Sequence, residues 1–480
     1  MAQRGRTFPA FSLNTVAAVV ARNAAEDPDG IAFIEAASGR TLTWHEYDTQ
    51  SGAIAATLAT EYEPDARVAL HLPDGADVHI AMLACEKAGS VGVGIGSRAG
   101  AREVDHLVAR SGARAVLTEL PRAAGVAPAD NRTLGSNDLW FLNSTSGTTG
   151  LPKIVMHDQA RWFAFHEFAQ RVANFDRTDV FASALPTPFG FGLWTAHFTP
   201  AIIGAPCVVF ERFTPELALA AIERYRVTIL AAVSTQFVMM LNAPELADHD
   251  LSSLRILFTG GEMVPYEEAR AFEKRTGASV LQFYGSNETG ALSCTTPDDP
   301  PERRLRTAGR VIPEMNVRLF DVDEDGRGVP AAKGPAVCLG YWDDPAANAQ
   351  LFTGDGWMRM GDLATIDDEG YLTVVGRTSD IIIRGGKNIS AAEVEREVGT
   401  HPAVAMCAAV AIPDETFGER VCVFVELRPE ATLTLAALTR HLEARGTGKE
   451  LWPERLVVVD ELPRASGGKI AKGALRDQLR

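Results

Sequence analysis

Helix-like and strand-like segments alternate along this chain, and that alternation constrains the fold more than any other feature. Val16 to Asn23 has helical spacing, Ile31 to Glu35 and Thr41 to Thr43 read as strands, and Tyr47 to Leu58 as a helix. Strand Arg67 to Leu72, helices Asp77 to Ala88 and Arg102 to Ser111, and strand Ala115 to Thr118 follow. The pattern resumes with helix Gln159 to Ala173, strands Val180 to Ala184 and Pro206 to Phe210, helix Pro215 to Tyr225, and strands Thr228 to Val233 and Arg255 to Thr259. Helix Pro265 to Thr276 and strand Ser279 to Phe283 close it. Strands separated by helices pair in parallel and are covered by those helices. The expected fold class is α/β, with a large multi-layer N-terminal domain built on parallel sheets. From about Val311, short strands and Gly/Asp turns predict a β-rich subdomain over 311–378. A last unit, 379–480, has its own pattern and is expected to be a small α+β domain. The predicted boundaries are 1–378 and 379–480, with a linker near Arg377 to Asp380.

A chain of 480 residues exceeds what one core supports. Its net charge of −16 opposes binding to nucleic acid or to an anionic membrane surface, both of which need a basic face. A nucleotide site needs only a local positive pocket. The six cysteines form no C-x-x-C and no zinc spacing, so buried reduced thiols in a cytoplasmic protein are expected. Met1 to Asn14 lacks the apolar core of a signal peptide, and no stretch approaches the roughly 20 apolar residues of a membrane span.

Chemistry is concentrated in Ser144-Thr145-Ser146-Gly147-Thr148-Thr149-Gly150-Leu151-Pro152-Lys153, which lies between two strand-like stretches. Glycines let a backbone turn its N–H groups toward an anion, hydroxyls add donors, and Lys153 adds a point charge. Such a run suits a polyphosphate. It is not the G-x-x-x-x-G-K-[ST] loop, because no Ser or Thr follows a Gly-Lys.

The run resembles the phosphate loop of the adenylate-forming (ANL) superfamily: acyl-CoA synthetases, peptide-synthetase adenylation domains and luciferases. Further segments match in the same order. Gly260-Gly261-Glu262 resembles a wall of the adenine pocket. Tyr284-Gly285-Ser286-Asn287-Glu288 implies an adenine-stacking ring at Tyr284 and a Mg²⁺ ligand at Glu288, with Asn287 where relatives usually have Thr. Asp362 is the implied ribose ligand, and Arg377 is implied to reach ribose or phosphate. Ser379 stands at the hinge, where Asp or Lys is usual. Arg384-Gly385-Gly386 resembles the loop lining the pantetheine tunnel. Pro463 to Ile470 resembles the terminal loop whose lysine, here Lys469, stabilises charge in adenylation; Thr148 joins Lys469 and Glu288 as an implied catalytic residue.

Other segments depart from that pattern or imitate different ones. Phe189 replaces a frequent His at an acyl-pocket gate. A Gly-Glu-Leu strand expected before Gly334-Pro335 is missing from the sequence, which predicts the loss of an edge strand. Gly92 to Gly96 imitates a dinucleotide fingerprint but reads as a tight strand end. Asn143-Ser-Thr145 and Asn388-Ile-Ser390 imitate glycosylation sequons, and His157 reads as structural.

The resemblance implies an ATP-dependent acid–CoA ligase. A carboxylate attacks the α-phosphorus of MgATP, and the CoA thiol then displaces AMP. Phe189, Phe191, Gly192, Val233, Thr235, Gly260 and Gly285 are expected to line a pocket for a small apolar carboxylate. An amine, a carrier-protein thiol, or activated nitrite meeting an arylamine remain open as the second half-reaction. Oxidative luciferase-type chemistry has no supporting residue. A nucleotide-binding regulatory pseudo-enzyme is the alternative of another class. Oligomeric state is open.

Overall fold

The computed structural model describes residues 14–122, 132–145, 152–261, 264–385, 387–463 and 470–479. Two sheets form the large N-terminal part. The first has nine strands in the order Arg310–Val311, Gly290–Cys294, Ser279–Ser286, Ile256–Thr259, Ile229–Ala231, Phe181–Ser183, Cys207–Val209, Ile31–Glu35, Thr41–Thr43. The six from Ser279–Ser286 to Ile31–Glu35 run parallel, and antiparallel strands close both ends. The second sheet has the order Gly340–Tyr341, Ile154–His157, Phe141–Ser144, Val91–Gly94, Arg67–Leu70, Ala115–Leu117, parallel over its last four strands.

Helix Ala76–Ala88 touches strands of both sheets. Its sequence explains that position. It is apolar nearly all round, which suits a helix with no solvent face, and all but Asp77 and Lys87 are buried. Glu86, one of its two buried polar side chains, accepts from Ala17 N–H at 2.8 Å and so holds the start of helix Val16–Glu26. A second shared layer follows Phe189. Gly190–Ile203 is continuously helical, with a wider π turn over Leu193–Phe198, and buries Trp194 and Phe198 against Phe165, Trp140 and Trp162. The pattern reading predicted no helix there, nor the one at Ser234–Leu241.

The expected loss of a strand does not occur. Val329–Ala332 forms a strand between Arg318–Phe320 and Met358–Arg359. Its small residues, all buried, replace the missing signature while keeping the ladder. The hairpin Asp362–Ile366 with Leu372–Arg377 completes the β-rich region. The smaller C-terminal part is a sheet in the order Lys387–Ser390, Ile381–Arg384, Gly418–Leu427, Val404–Asp414, with Arg455–Val459 parallel to Gly418–Leu427. Helices Ala391–Gly399 and Leu435–Ala444 supply buried Val394, Val398, Leu438 and Leu442 to its core.

All six cysteines are free, four of them buried. Among the described residues no helix is long and apolar enough to cross a membrane.

Candidate active site

The phosphate-loop run connects two strands of a hairpin, Phe141–Ser144 and Ile154–His157, with Ser144 opposite Ile154. Thr145 N–H donates to the Lys153 carbonyl at 2.9 Å, and Lys153 N–H donates to Thr145 Oγ1 at 3.3 Å. The stem is therefore closed where the polar run begins and ends. Ser144, Thr145 and Lys153 belong to the described stem; Ser146, Gly147, Thr148, Thr149 and Gly150 lie outside the described residues.

Strand Ser279–Ser286 carries the next group. It pairs in parallel with Ile256–Thr259 and then turns antiparallel against Gly290–Cys294. Gly285 is obligatory at that crossing, because a Cβ there would lie 1.7 Å from the Gly290 carbonyl oxygen. The tight approach sends Tyr284 and Glu288 to different neighbours. The Tyr284 hydroxyl donates to Asp362 Oδ2 at 2.8 Å. Arg377 Nε lies 3.5 Å from Asp362 Oδ1. Asp362 and Arg377 face each other as partners in one hairpin, which brings three distant motifs to one point. Burial, then the Asp362 charge, raise the Tyr284 phenol well above its usual range, so it stays a donor.

Glu288 meets a residue to which the sequence assigns no role. The Tyr341 hydroxyl donates to Glu288 Oε1 at 2.8 Å, and the Lys153 ammonium sits 4.9 Å from the Tyr341 ring centroid. Burial and then the Glu288 charge raise the Tyr341 phenol. A cleft of about 300 Å³ has Lys153, Tyr341, Gln350, Arg359, Gly361 and Thr378 in its wall. It links the phosphate-loop stem to the residues flanking Asp362 and Arg377.

The donor set suits a magnesium nucleotide. One hydroxyl leaves a carboxylate with acceptor sites to spare, and Mg²⁺ binds through one or two carboxylates plus substrate phosphates. Among the described residues no group of three or more His, Cys, Asp or Glu could hold a metal alone.

Asn287, which stands where relatives usually have Thr, pairs with Asn143: its Nδ2 donates to Asn143 Oδ1 at 2.6 Å. Asn143 is buried in the strand that leads into the phosphate loop, and its Nδ2 donates to the Pro188 carbonyl at 2.9 Å. His157 is fully buried and bonds Asn143 and Arg161, as a structural histidine does.

One of the expected acid-pocket residues, Phe191, joins an aromatic cluster. Phe191 stacks on Trp194 at 5.7 Å, and Trp194 meets Phe258 and Phe283 edge-on. Phe189 lies against Gly96, and a Cβ on Gly192 would stand 2.2 Å from the Pro186 carbonyl oxygen. Val233 and Gly260 follow the neighbouring strands Ile229–Ala231 and Ile256–Thr259, Gly261 comes directly after, and Thr235 sits in the first turn of helix Ser234–Leu241. Gly385 occupies the turn between Ile381–Arg384 and Lys387–Ser390. Ser379 is in the short helical turn Thr378–Asp380 that joins the two parts. Beside it, burial pushes the Asp380 carboxyl up, but the Lys472 ammonium and the Arg476 guanidinium outweigh that and hold it below its usual range. Glu262, Gly386 and Lys469 lie outside the described residues.

Residues 20–133 and 118–342 match the AMP-binding enzyme family, and 393–469 match the AMP-binding enzyme C-terminal domain. The medium-chain fatty-acid–CoA ligase of Escherichia coli (strain K12) is 31% identical over 502 residues, covering 94% of this chain and 88% of that protein. The o-succinylbenzoate CoA synthetase of Bacillus subtilis, solved with its acyl-adenylate intermediate, superposes with a TM-score of 0.85 at 27% identity, covering 96% of this chain and 97% of that one. The amide bond synthetase of Marinactinospora thermotolerans superposes with a TM-score of 0.84 at 25% identity, covering 97% and 100%. With both family matches in order along one chain and a relative aligned over nearly its full length, the protein belongs to the AMP-binding enzyme family of adenylate-forming, AMP-forming ligases.

Proposed function

We propose that the protein is an ATP-dependent acid–CoA ligase acting on a small apolar carboxylate, aryl, cyclic or short-chain. The observation that supports this most is the pairing of Tyr284 with Asp362 and of Glu288 with Tyr341 from a single strand end. It sets a nucleoside end and a phosphate end on either side of Gly285.

In this reading Tyr284 stacks on adenine while its hydroxyl holds Asp362 for the ribose. Arg377 steadies the same carboxylate. The phosphate loop, Ser144 to Lys153, receives the phosphates, and Gly261 and Glu262 flank the base. Glu288 holds Mg²⁺, which when bound offsets charge on the phosphoryl oxygens. The carboxylate lies among Phe189, Phe191, Gly192, Val233, Thr235 and Gly260. Lys469 stabilises the charge that develops as the carboxylate attacks the α-phosphorus and pyrophosphate leaves. Rotation about Ser379, between domains 1–378 and 379–480, then exchanges Lys469 for Gly385 and Gly386, and the CoA thiol displaces AMP.

A second reading, an amine as the acceptor, is favoured by the full-length similarity to an amide bond synthetase. One experiment separates the two. The protein is incubated with MgATP and a panel of aryl, cyclic and short-chain acids, with CoA, with amines, with nitrite plus an arylamine, or with no acceptor, and products are read by mass spectrometry. An acyl-CoA from one acid class establishes the ligase. An amide without any thioester replaces CoA by an amine, and no acid-dependent AMP release rejects adenylation.

A further inference from the structure

We propose that Arg161 is a positioning residue for the Asn287–Glu288 segment, acting through a buried relay with His157 and Asn143 that also holds the Pro188–Phe189 gate. The link to Mg²⁺ rests on the functional reading of Glu288 above.

Arg161 lies in the first turn of helix Ala160–Ala173 and is 1% exposed. Its Nη1 donates to His157 Nδ1 at 2.7 Å and to the Asn287 carbonyl at 3.0 Å. Its Nη2 lies 3.5 Å from the Glu288 carbonyl oxygen. The guanidinium thus meets the backbone carbonyls on both sides of the Glu288 Cα.

The same group fixes every proton in the relay. A guanidinium only donates, so His157 Nδ1 must accept, and the imidazole proton resides on Nε2. Nε2 then donates to Asn143 Oδ1 at 2.7 Å. That sets the orientation of the Asn143 amide. Its Oδ1 also accepts from Asn287 Nδ2 at 2.6 Å, and its Nδ2 faces Pro188 O at 2.9 Å and Asn287 Oδ1 at 3.3 Å. Burial and the Arg161 charge keep His157 neutral, as this pattern requires.

Three segments therefore meet at one node: the strand entering the phosphate loop, the gate at Pro188–Phe189 and the Glu288 segment. None of Arg161, His157 and Asn143 has a role in the chemistry described above. A lysine at 161 would place its donors on a single nitrogen and could not span the imidazole and both carbonyls. At 157, a glutamine supplies both the acceptor and the donor that the relay needs, and a leucine supplies neither.

The test uses the full-length protein and the variants Arg161→Lys, His157→Leu and His157→Gln. Hydrogen–deuterium exchange of the ligand-free proteins is followed in peptides covering 284–291 and 404–427. In parallel, acid-dependent ATP–pyrophosphate exchange is measured across a Mg²⁺ titration. The expected result is exchange about tenfold or more faster at 284–291 in Arg161→Lys and His157→Leu, with 404–427 unchanged. The half-saturating Mg²⁺ should rise by a similar factor, with a smaller change in the KM for the acid, and His157→Gln should recover most of both effects. Unchanged exchange at 284–291, or equal acceleration at 404–427, overturns the proposal. Local acceleration with an unaltered Mg²⁺ requirement overturns the link to Glu288. Arg161→Lys retains the charge and an aliphatic stem, so it decides the matter if His157→Leu does not fold. A wild type with no MgATP-dependent activity would reject the functional reading, and hydrogen exchange alone would then decide the relay.

Discussion

The hydroxyl of Tyr284 donates a hydrogen bond to Oδ2 of Asp362 at 2.8 Å, joining two residues 78 positions apart. It makes the proposed adenine and ribose contacts one rigid unit, because Arg377 approaches the other oxygen of the same carboxylate. Tyr284→Phe keeps the ring and removes only this bond. A net hydrogen bond is worth about 1 kcal/mol, so the KM for ATP should rise roughly fivefold. The rate at saturation should change little. Steady-state kinetics of acid-dependent pyrophosphate release checks this, and an unchanged KM would show that Asp362 needs no support from Tyr284.

In the proposed reading Glu288 acts through Mg²⁺ and Lys469 acts directly, and their variants should differ accordingly. Glu288→Ala should raise the Mg²⁺ requirement, and part of its activity should return at high Mg²⁺. Lys469→Ala should lower adenylation by about 10² or more at any Mg²⁺ concentration. Isotope exchange between pyrophosphate and ATP distinguishes the two patterns. Full activity in either variant would remove that residue from the site.

Gly285→Ala tests the strand crossing. The new Cβ would meet a backbone oxygen at 1.7 Å, and neither strand has a flexible side chain to move aside. Overpacking of this kind costs about 1–3 kcal/mol, occasionally more. Thermal unfolding should show a clear drop in midpoint, together with loss of nucleotide binding. A variant as stable as wild type would mean that the two strands separate easily.

Acid sensitivity should come from buried histidines. Burial lowers His166 to about 4 and His197 to about 3, from a usual value of 6.5. Folded, both stay neutral well below the pH at which the unfolded chain takes up protons. The unfolded state therefore binds more protons from about pH 6.5 down to those values, and stability falls as pH falls through that window. Each histidine contributes a slope of about 1.4 kcal/mol per pH unit there. Urea unfolding between pH 7.5 and 5 should show a falling midpoint, and His166→Gln should flatten the curve. A midpoint independent of pH would contradict the neutral burial of these side chains.

Much of the scaffold was legible in local pattern. The helix Pro215–Tyr225 and the strands Ile31–Glu35 and Thr41–Thr43 fall where periodicity and turn residues put them, because each is decided by its own burial stripe. The helices Gly190–Ile203 and Ser234–Leu241 were not legible. Prolines at 186 and 188 and glycines at 190 and 192 interrupt the sequence where the first begins, and its aromatic side chains are packed on several faces, so no period stands out. The missing Gly-Glu-Leu signature misled for a related reason. Val329–Ala332 keeps its place by pairing on both sides, and small residues suffice once the ladder is satisfied.

By itself the sequence determined the α/β alternation, the order of the motifs and the chemical capacity of each residue: a ring at 284, carboxylates at 288 and 362, a cation at 153. Only the tertiary structure decided who meets whom. Tyr341 reaches Glu288 across 53 positions, and Asn143 takes the amide of Asn287 across 144. A side chain states what it can donate or accept. Its partner is chosen by strand order and by the close crossing at Gly285, and those are set by the packing of two sheets on shared buried helices.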